Sequence, residues 1–199
     1  MSTADARSKS AIGFLTVVED SQQGLCGGYL ILNRAGRPLE FHCTVPIKAN
    51  RAQEILYGPT LAPFLYGEQI GQTLVSKAKC QPLLVCTDRE PVLAVQDFVT
   101  TPVVLILPQE GPASVQEHLQ LSPQPTKKAP VYRLDTPHRS GPPLVGFQLG
   151  RNQVAIAGGT EDACATIVRN LGNLTDCFDL AEPFQRIREA IEEAQKAAR

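Results

Sequence analysis

Two carboxylates in this sequence sit where solvation alone does not explain them. From Thr60 onward an apolar stripe repeats at about 100° per residue: Leu61, Phe64, Leu65, Val75 and Ala78 share one helical face, and Glu68 falls in its middle. A carboxylate there is costly to bury unless it is paired, protonated or bound to a cation. A short apolar run, Pro82 to Thr87, then ends in Asp88. That is the pattern of a strand buried on both faces, which delivers an acid at its C-terminal end. Other acids have simpler uses. Glu19-Asp20 suits a turn, Glu161-Asp162 suits the positive end of a helix dipole, and Asp88 itself can cap a following helix.

Patterns for nucleophiles and other ligands carry less. Gly24-Leu-Cys26-Gly-Gly28 has the spacing of a nucleophile elbow with Cys in place of Ser, but that motif needs a helix after it, and Tyr29 to Leu32 reads as strand. The glycines are expected to serve a turn or bulge. His42-Cys43 with Cys80 and Cys86 lacks the short Cys-x-x-Cys pair of structural zinc, and neighbouring strand residues point to opposite faces. His118 and His138 fall among prolines and read as solvated. Gly158-Gly-Thr160 presents backbone N–H groups to an anion, yet Glu161 and Asp162 would repel it, so the stretch reads as a helix cap.

The elements that must position these groups follow from periodicity and breakers. Residues 1–10 are polar and expected to be disordered. Ile12 to Val18, Tyr29 to Leu32 and the alternating run Leu39 to Val45 predict three strands joined by short turns, an antiparallel meander. Asn50 caps a short helix stopped by Gly58, and Thr60 reads as the N-cap of a long helix that follows. The buried strand ending at Asp88 leads to a second helix with Pro91 in its first turn, then to a strand over Val103 to Leu107. Half of the sixteen prolines lie between Pro108 and Pro143, which predicts a linker or loop over 108–143. A hairpin, a helix over Glu161 to Leu171 and an amphipathic C-terminal helix occupy 144–199, packed on an α/β core of residues 11–107. In the last helix Phe184, Ile187, Ile191, Ala194 and Ala198 make the apolar seam, with Arg186 and Arg188 on its solvated flank.

The order to residue 107, three antiparallel strands followed by helix, strand, helix and strand, resembles the ribonuclease H-like fold. The resemblance implies an α/β fold with a mixed sheet. In nucleases of that fold a cluster of carboxylates holds two divalent ions, which stabilise the attacking and leaving oxygens of a phosphodiester. The acids come from the first strand, the first long helix, the end of the fourth strand and a late helix. The corresponding positions here are Glu19 or Asp20, Glu68, Asp88, and Asp162 or Glu161, with Mg²⁺ or Mn²⁺ as the implied ion. The chain departs from the pattern in two ways. Glu19-Asp20 lie at the end of the first strand rather than within it, and a long extra segment precedes the late helix.

Composition narrows the function classes. The 199 residues are 43% hydrophobic and 20% charged, with a formal net charge of −1, which suits a globular protein without long-range attraction to nucleic acid or anionic membrane. No apolar run approaches the roughly 20 residues of a membrane span, and six scattered cysteines with no leader-like segment predict reduced thiols in a cytoplasmic setting. Two readings follow. The favoured one is a non-enzymatic binding or regulatory module, with no cofactor, that meets a protein partner or a second copy through a sheet edge or the C-terminal helix. The other is a divalent-metal-dependent nuclease or phosphotransfer enzyme, for which nucleic acid is the partner. Favouring the first are the structural uses of most of the acids, the lack of a basic stripe, and an aromatic content of 6% with no Trp for base stacking.

Overall fold

The computed structural model describes residues 11–108, 132–134, 142–175 and 179–197. The antiparallel meander is present as β1 (Ile12–Asp20), β2 (Gly24–Leu32) and β3 (Pro38–Cys43). β4 (Leu84–Thr87) and β5 (Val103–Ile106) then add beside β1 in parallel. Farther along the chain come β6 (Tyr132–Leu134), β7 (Leu144–Leu149) and β8 (Asn152–Ala157). β8 runs antiparallel to β5, β7 pairs with β8, and β6 pairs with β7. The described strands thus form one mixed sheet in the order β3-β2-β1-β4-β5-β8-β7-β6. The stretch read as a linker contributes an edge strand to it. Tyr132 to Leu134 satisfy their backbone groups against Leu144 to Gly146 despite the prolines on either side. The expectations for residues 1–10 and for the rest of 109–141, His118 and His138 included, lie outside the described residues.

Helices cover both faces. α1 (Arg51–Tyr57) starts with a reciprocal cap: the Asn50 side chain accepts the Gln53 N–H at 2.8 Å and the Gln53 side chain accepts the Asn50 N–H at 3.0 Å. Gly58, at φ 48°, ends it. One continuous helical run, α2, comes next as Leu61–Pro63, Phe64–Gln72 and Thr73–Lys77, and its middle stretch is π-helical. Thr60 does not cap it. A 3₁₀ turn over Gly58–Thr60 leads straight in, and the Thr60 hydroxyl donates back to the Tyr57 carbonyl at 2.8 Å. The segment after Asp88 is a 3₁₀-helix, Glu90–Phe98, rather than an α-helix. Its exit is held by Gln96, whose side chain bonds the Val99 and Thr101 carbonyls and the Val103 N–H. α3 (Glu161–Thr175) and α4 (Glu182–Ala197) complete the described chain.

The pleat decides which side chains meet which helices. Ile12 and Phe14 of β1, Leu84 and Cys86 of β4, and Val104 and Ile106 of β5 face α3 and α4, against Cys164, Ile167, Leu171, Phe184, Ile187 and Ile191. Their neighbours Leu15, Val17, Val85, Val103 and Leu105 face α2 and the 3₁₀ segment, against Leu65, Tyr66, Ile70, Leu74, Val92 and Val95. The central strands are therefore apolar on both faces, as their unbroken hydrophobic runs predict. The first part of the α4 seam is spent inside the protein: Phe184, Ile187 and Ile191 are almost wholly buried, each worth about 1.5–3 kcal/mol of burial, while Ala194 is exposed and Ala198 lies outside the described residues. Phe184 meets Phe14 edge-on at 5.7 Å between ring centroids. Among the described residues no helix is long and apolar enough to cross a membrane.

Candidate active site at the ends of β1 and β4

The parallel register of β1 and β4 pairs Phe14 with Cys86. Two residues farther on, Thr16 and Asp88 come side by side on the face that α4 covers. The buried Thr16 hydroxyl donates to Asp88 Oδ1 at 2.5 Å. The other carboxylate oxygen, Oδ2, accepts from Arg188 Nη2 of α4. Docking of Ile187 on the sheet aims Arg188, one residue on, at the strand ends. The Asp88 side chain is 18% exposed and that of Arg188 33%, so the pair lies at the floor of a cleft and not in the core. The cleft has a volume of about 340 Å³ and is bounded by Asp88, Asn152, Asp179, Phe184 and Arg188. Asn152 is buried and its side chain accepts the Leu180 N–H at 3.4 Å, while Asp179 accepts the Ala181 N–H at 2.9 Å. The first contact ties the segment leading into α4 to the start of β8, and the second is a turn within that segment.

The other acids singled out in the sequence are placed elsewhere. Glu19 is an odd-numbered β1 residue and so faces α2, where its carboxylate accepts the Tyr66 hydroxyl. Burial, and then the Glu19 carboxylate, push the Tyr66 phenol up from its ordinary range, with Arg89 acting in the opposite direction. Asp20 accepts the N–H groups of Gln22 and Gln23, both at 2.7 Å, which is its turn role. Glu68 is exposed, not buried in the apolar stripe. Hydrogen bonds from i to i+5 widen the turns of α2, so a projection at α-helical pitch misplaces Glu68, although Leu65 is buried and Val75 and Ala78 pack against the core as projected. The residues that pack are Leu65, Tyr66, Ile70 and Leu74, with Gly67 against Ala94. Asp162 lines a separate cleft of about 480 Å³ with Gln96, Val103 and Thr166. β8 runs antiparallel to β5, so α3 begins at the opposite end of the sheet from Asp88, and Glu161 starts α3 with it.

The five acids therefore do not converge. Asp88 and Thr16 lie on one face of the sheet, Glu19 and Tyr66 on the other, and Asp162 lies at the far end. Among the described residues no group of three or more His, Cys, Asp or Glu side chains is placed to hold a metal ion. The described residues do not form the carboxylate cluster that the ribonuclease H resemblance implies. Where a second acid would be needed beside Asp88, β1 supplies a hydroxyl, and a guanidinium closes the other side. Cys26 is also not a nucleophile. It is buried within β2, its thiol donates to the Thr44 carbonyl at 3.1 Å, and burial pushes the thiol up and away from the reactive thiolate. His42 is tied to Glu40 at 3.0 Å rather than to a cysteine.

Sequence reasoning finds Asp88 but misses Thr16, Arg188 and Asp179. Thr16 carries a weak signal, as the one hydroxyl inside the apolar run Ile12 to Val18. The periodicity of α4 puts Arg188 on a solvated flank, and only its position next to Ile187 hints at its reach toward the sheet.

No known family model matches this chain, and no curated protein matches it. Solved structures do. The chain is similar to the catalytic domain of human endonuclease V, with a TM-score of 0.50 and 14% identity over 98% of this chain and 89% of that one. A second structure of human endonuclease V gives a TM-score of 0.49 at 13% identity, over 96% of this chain and 86% of that one. Endonuclease V of Ciona intestinalis, in complex with an inosine-containing DNA, gives 0.47 at 11% identity, over 93% and 86%. The non-enzymatic module favoured in the sequence reading is corrected by this likeness to an enzyme's catalytic domain along nearly the whole chain. In addition, Phe184, Ile187 and Ile191 of the amphipathic helix proposed there as its docking surface are packed in the protein's own core. At this level of identity the likeness establishes the fold: an α/β mixed sheet of ribonuclease H-like topology.

Proposed function

We propose that this chain is a nuclease-class hydrolase acting on the phosphodiester backbone of nucleic acid, with its reaction centre in the cleft at the C-terminal ends of β1 and β4. The observation that carries the reading is the position of Asp88 on a nuclease-like fold. In open α/β sheets ligands bind beyond the carboxyl ends of the strands, where the strand order reverses. Here that point lies between β1, which leads outward to β2 and β3, and β4, which leads the other way to β5. Asp88 is the first residue past β4 at that point, it borders an open cleft, and its partners are a hydroxyl and a guanidinium.

The residues present give the reaction its parts. Asp88 accepts the proton of an attacking water, Thr16 holds the carboxylate in orientation from the buried side, and the cleft admits the strand. No step is assigned to a metal ion, because the described residues do not form the cluster to hold one. The test is cleavage of end-labelled single- and double-stranded DNA and RNA by the purified chain, in Mg²⁺ and in EDTA, beside Asp88→Asn. The expected result is cleavage of at least one substrate, lowered by about 10²-fold or more in Asp88→Asn, the usual scale for loss of a general base. Absence of cleavage in both buffers, or cleavage unchanged in Asp88→Asn, would overturn the proposal.

A further inference from the structure

We infer that Arg188 supplies the positive charge that holds the scissile phosphate, in the place where nucleases of this topology use divalent ions; the inference rests on the nuclease reading above. Three observations meet here. Both oxygens of Asp88 have partners, the Thr16 hydroxyl and Arg188 Nη2, so the site's acid is already matched to a cation carried by the chain itself. Among the described residues no carboxylate cluster forms around Asp88: Glu19 points to the opposite layer, Asp20 accepts the Gln22 and Gln23 N–H groups, and Asp179, the other acid lining the cleft, accepts the Ala181 N–H. Finally, Arg188 lines the open cleft with a third of its side chain exposed, so its guanidinium faces both Asp88 and the space a ligand would fill.

The guanidinium suits this use. It is planar, stays charged at any working pH and carries five N–H donors, so the Nη2 contact to Asp88 leaves other donors for a phosphoryl oxygen. Charge-assisted hydrogen bonds from Arg to phosphate are among the strongest available to a protein. With a phosphodiester on the guanidinium, Arg188 is shared between the phosphate and Asp88, and the carboxylate keeps lone pairs for a water. A water oxygen then forms the bond to phosphorus while its proton passes to Asp88. The bond from phosphorus to the leaving oxygen breaks, its electron pair stays on that oxygen, and a proton from solvent completes the new hydroxyl.

The experiment has a cleavage arm and a binding arm. In the first, wild type, Arg188→Gln and Arg188→Lys are assayed in EDTA and in Mg²⁺. Wild-type cleavage is expected to persist in EDTA, to fall by about tenfold or more in Arg188→Gln, and to return in part in Arg188→Lys, which keeps the charge but loses the fork. In the second, binding of a labelled oligonucleotide is followed by anisotropy in EDTA. Arg188→Gln is expected to weaken it by about tenfold, while Asp88→Asn, which removes the competing carboxylate, tightens it. Circular-dichroism melts check that each variant is folded. Cleavage that appears only with Mg²⁺ would overturn this inference and leave the nuclease reading standing. If no cleavage occurs in either buffer the nuclease reading falls, and the binding arm decides Arg188 separately: weaker binding by Arg188→Gln upholds it as a phosphate ligand, and unchanged binding removes it.

Discussion

Thr16 and Asp88 show how much a single side chain's meaning depends on register. Asp88 was legible because an apolar run ends in it. Its partners were not, because which residue of β1 stands beside it is set by strand pairing, and Arg188 arrives from 100 residues away. Glu40 carries the same lesson with a measurable consequence. It lies on the face of β3 that looks toward α2, and its carboxylate accepts the N–H groups of Lys79 and Cys80 at 2.9 and 2.6 Å as well as contacting His42. Burial pushes its pKa up, but the hydrogen bonds from His42, Lys79 and Cys80 outweigh it, and the carboxyl is held below its ordinary range. A carboxyl lowered in the folded state stabilises above its unfolded value, about pH 4.3, and that stability is lost as pH falls through the folded value. In melts from about pH 7 to about pH 3, wild type is expected to lose stability more steeply at the acid end than Glu40→Gln, with the gap between them widest near neutrality. Parallel curves would remove Glu40 as a tie between β3 and the end of α2. Tyr29 makes a second prediction at this scale. It is fully buried beside Gly13, and its hydroxyl has no hydrogen-bond partner among the described residues. Tyr29→Phe is expected to leave stability unchanged or raise it by about 1 kcal/mol in urea unfolding. A loss of that size would reveal a partner for the hydroxyl.

At the scale of elements, the glycines of β2 decide how close the helices come. They match the spacing of a catalytic elbow, but their role is packing in mid-strand. A Cβ on Gly27 would collide with Ile70 and lie 2.9 Å from Leu74, on the α2 face. A Cβ on Gly28 would collide with Ile187 and lie 2.9 Å from Ile191, on the α4 face. Two adjacent glycines thus let a helix seat directly on the backbone from each side, and the one at Gly28 sets the depth from which Arg188 reaches Asp88. Gly28→Ala is expected to lower stability by about 1–3 kcal/mol, the usual cost of overpacking, and to weaken oligonucleotide binding with it, because lifting α4 moves Arg188. A variant that loses stability but binds as wild type would separate the packing of α4 from the site. The strands of the meander, β4 and β5 were readable from their alternating or unbroken apolar runs, whereas β6 and the pairing of β5 with β8 were not. The middle of α2 was not readable either, because a π-helical stretch has no local signature and shifts side chains such as Glu68 from their α-helical facing. Glu68 therefore projects inward at α-helical pitch and is exposed in the folded chain.

On the scale of the whole molecule, the Pro-rich stretch interrupts the sequence without dividing the sheet. β5 pairs with β8 across it, and one cluster contains Ile12, Phe14 and Leu84 from before it together with Phe147, Val154, Phe184 and Ile191 from after it. Composition shifts mark where a chain is irregular, not where a core ends, so the sequence showed the break at Pro108 but not the strand pairing that spans it. It also placed a late acid at the start of α3, whereas the antiparallel β8 carries that helix to the wrong end of the sheet and leaves α4 to complete the cleft. If the two stretches share one core, they unfold together. Ile187→Ala removes a fully buried side chain from α4 and is expected to cost about 2–4 kcal/mol. The informative measurement is hydrogen exchange in that variant. Amides of β1 and β4, far from α4 in sequence, should lose protection by the same free energy as amides of α4 and β8, since each exchanges through the same global opening. A loss confined to α4 would mean that this helix opens by itself, and that the Asp88–Arg188 contact is made and broken without the rest of the fold.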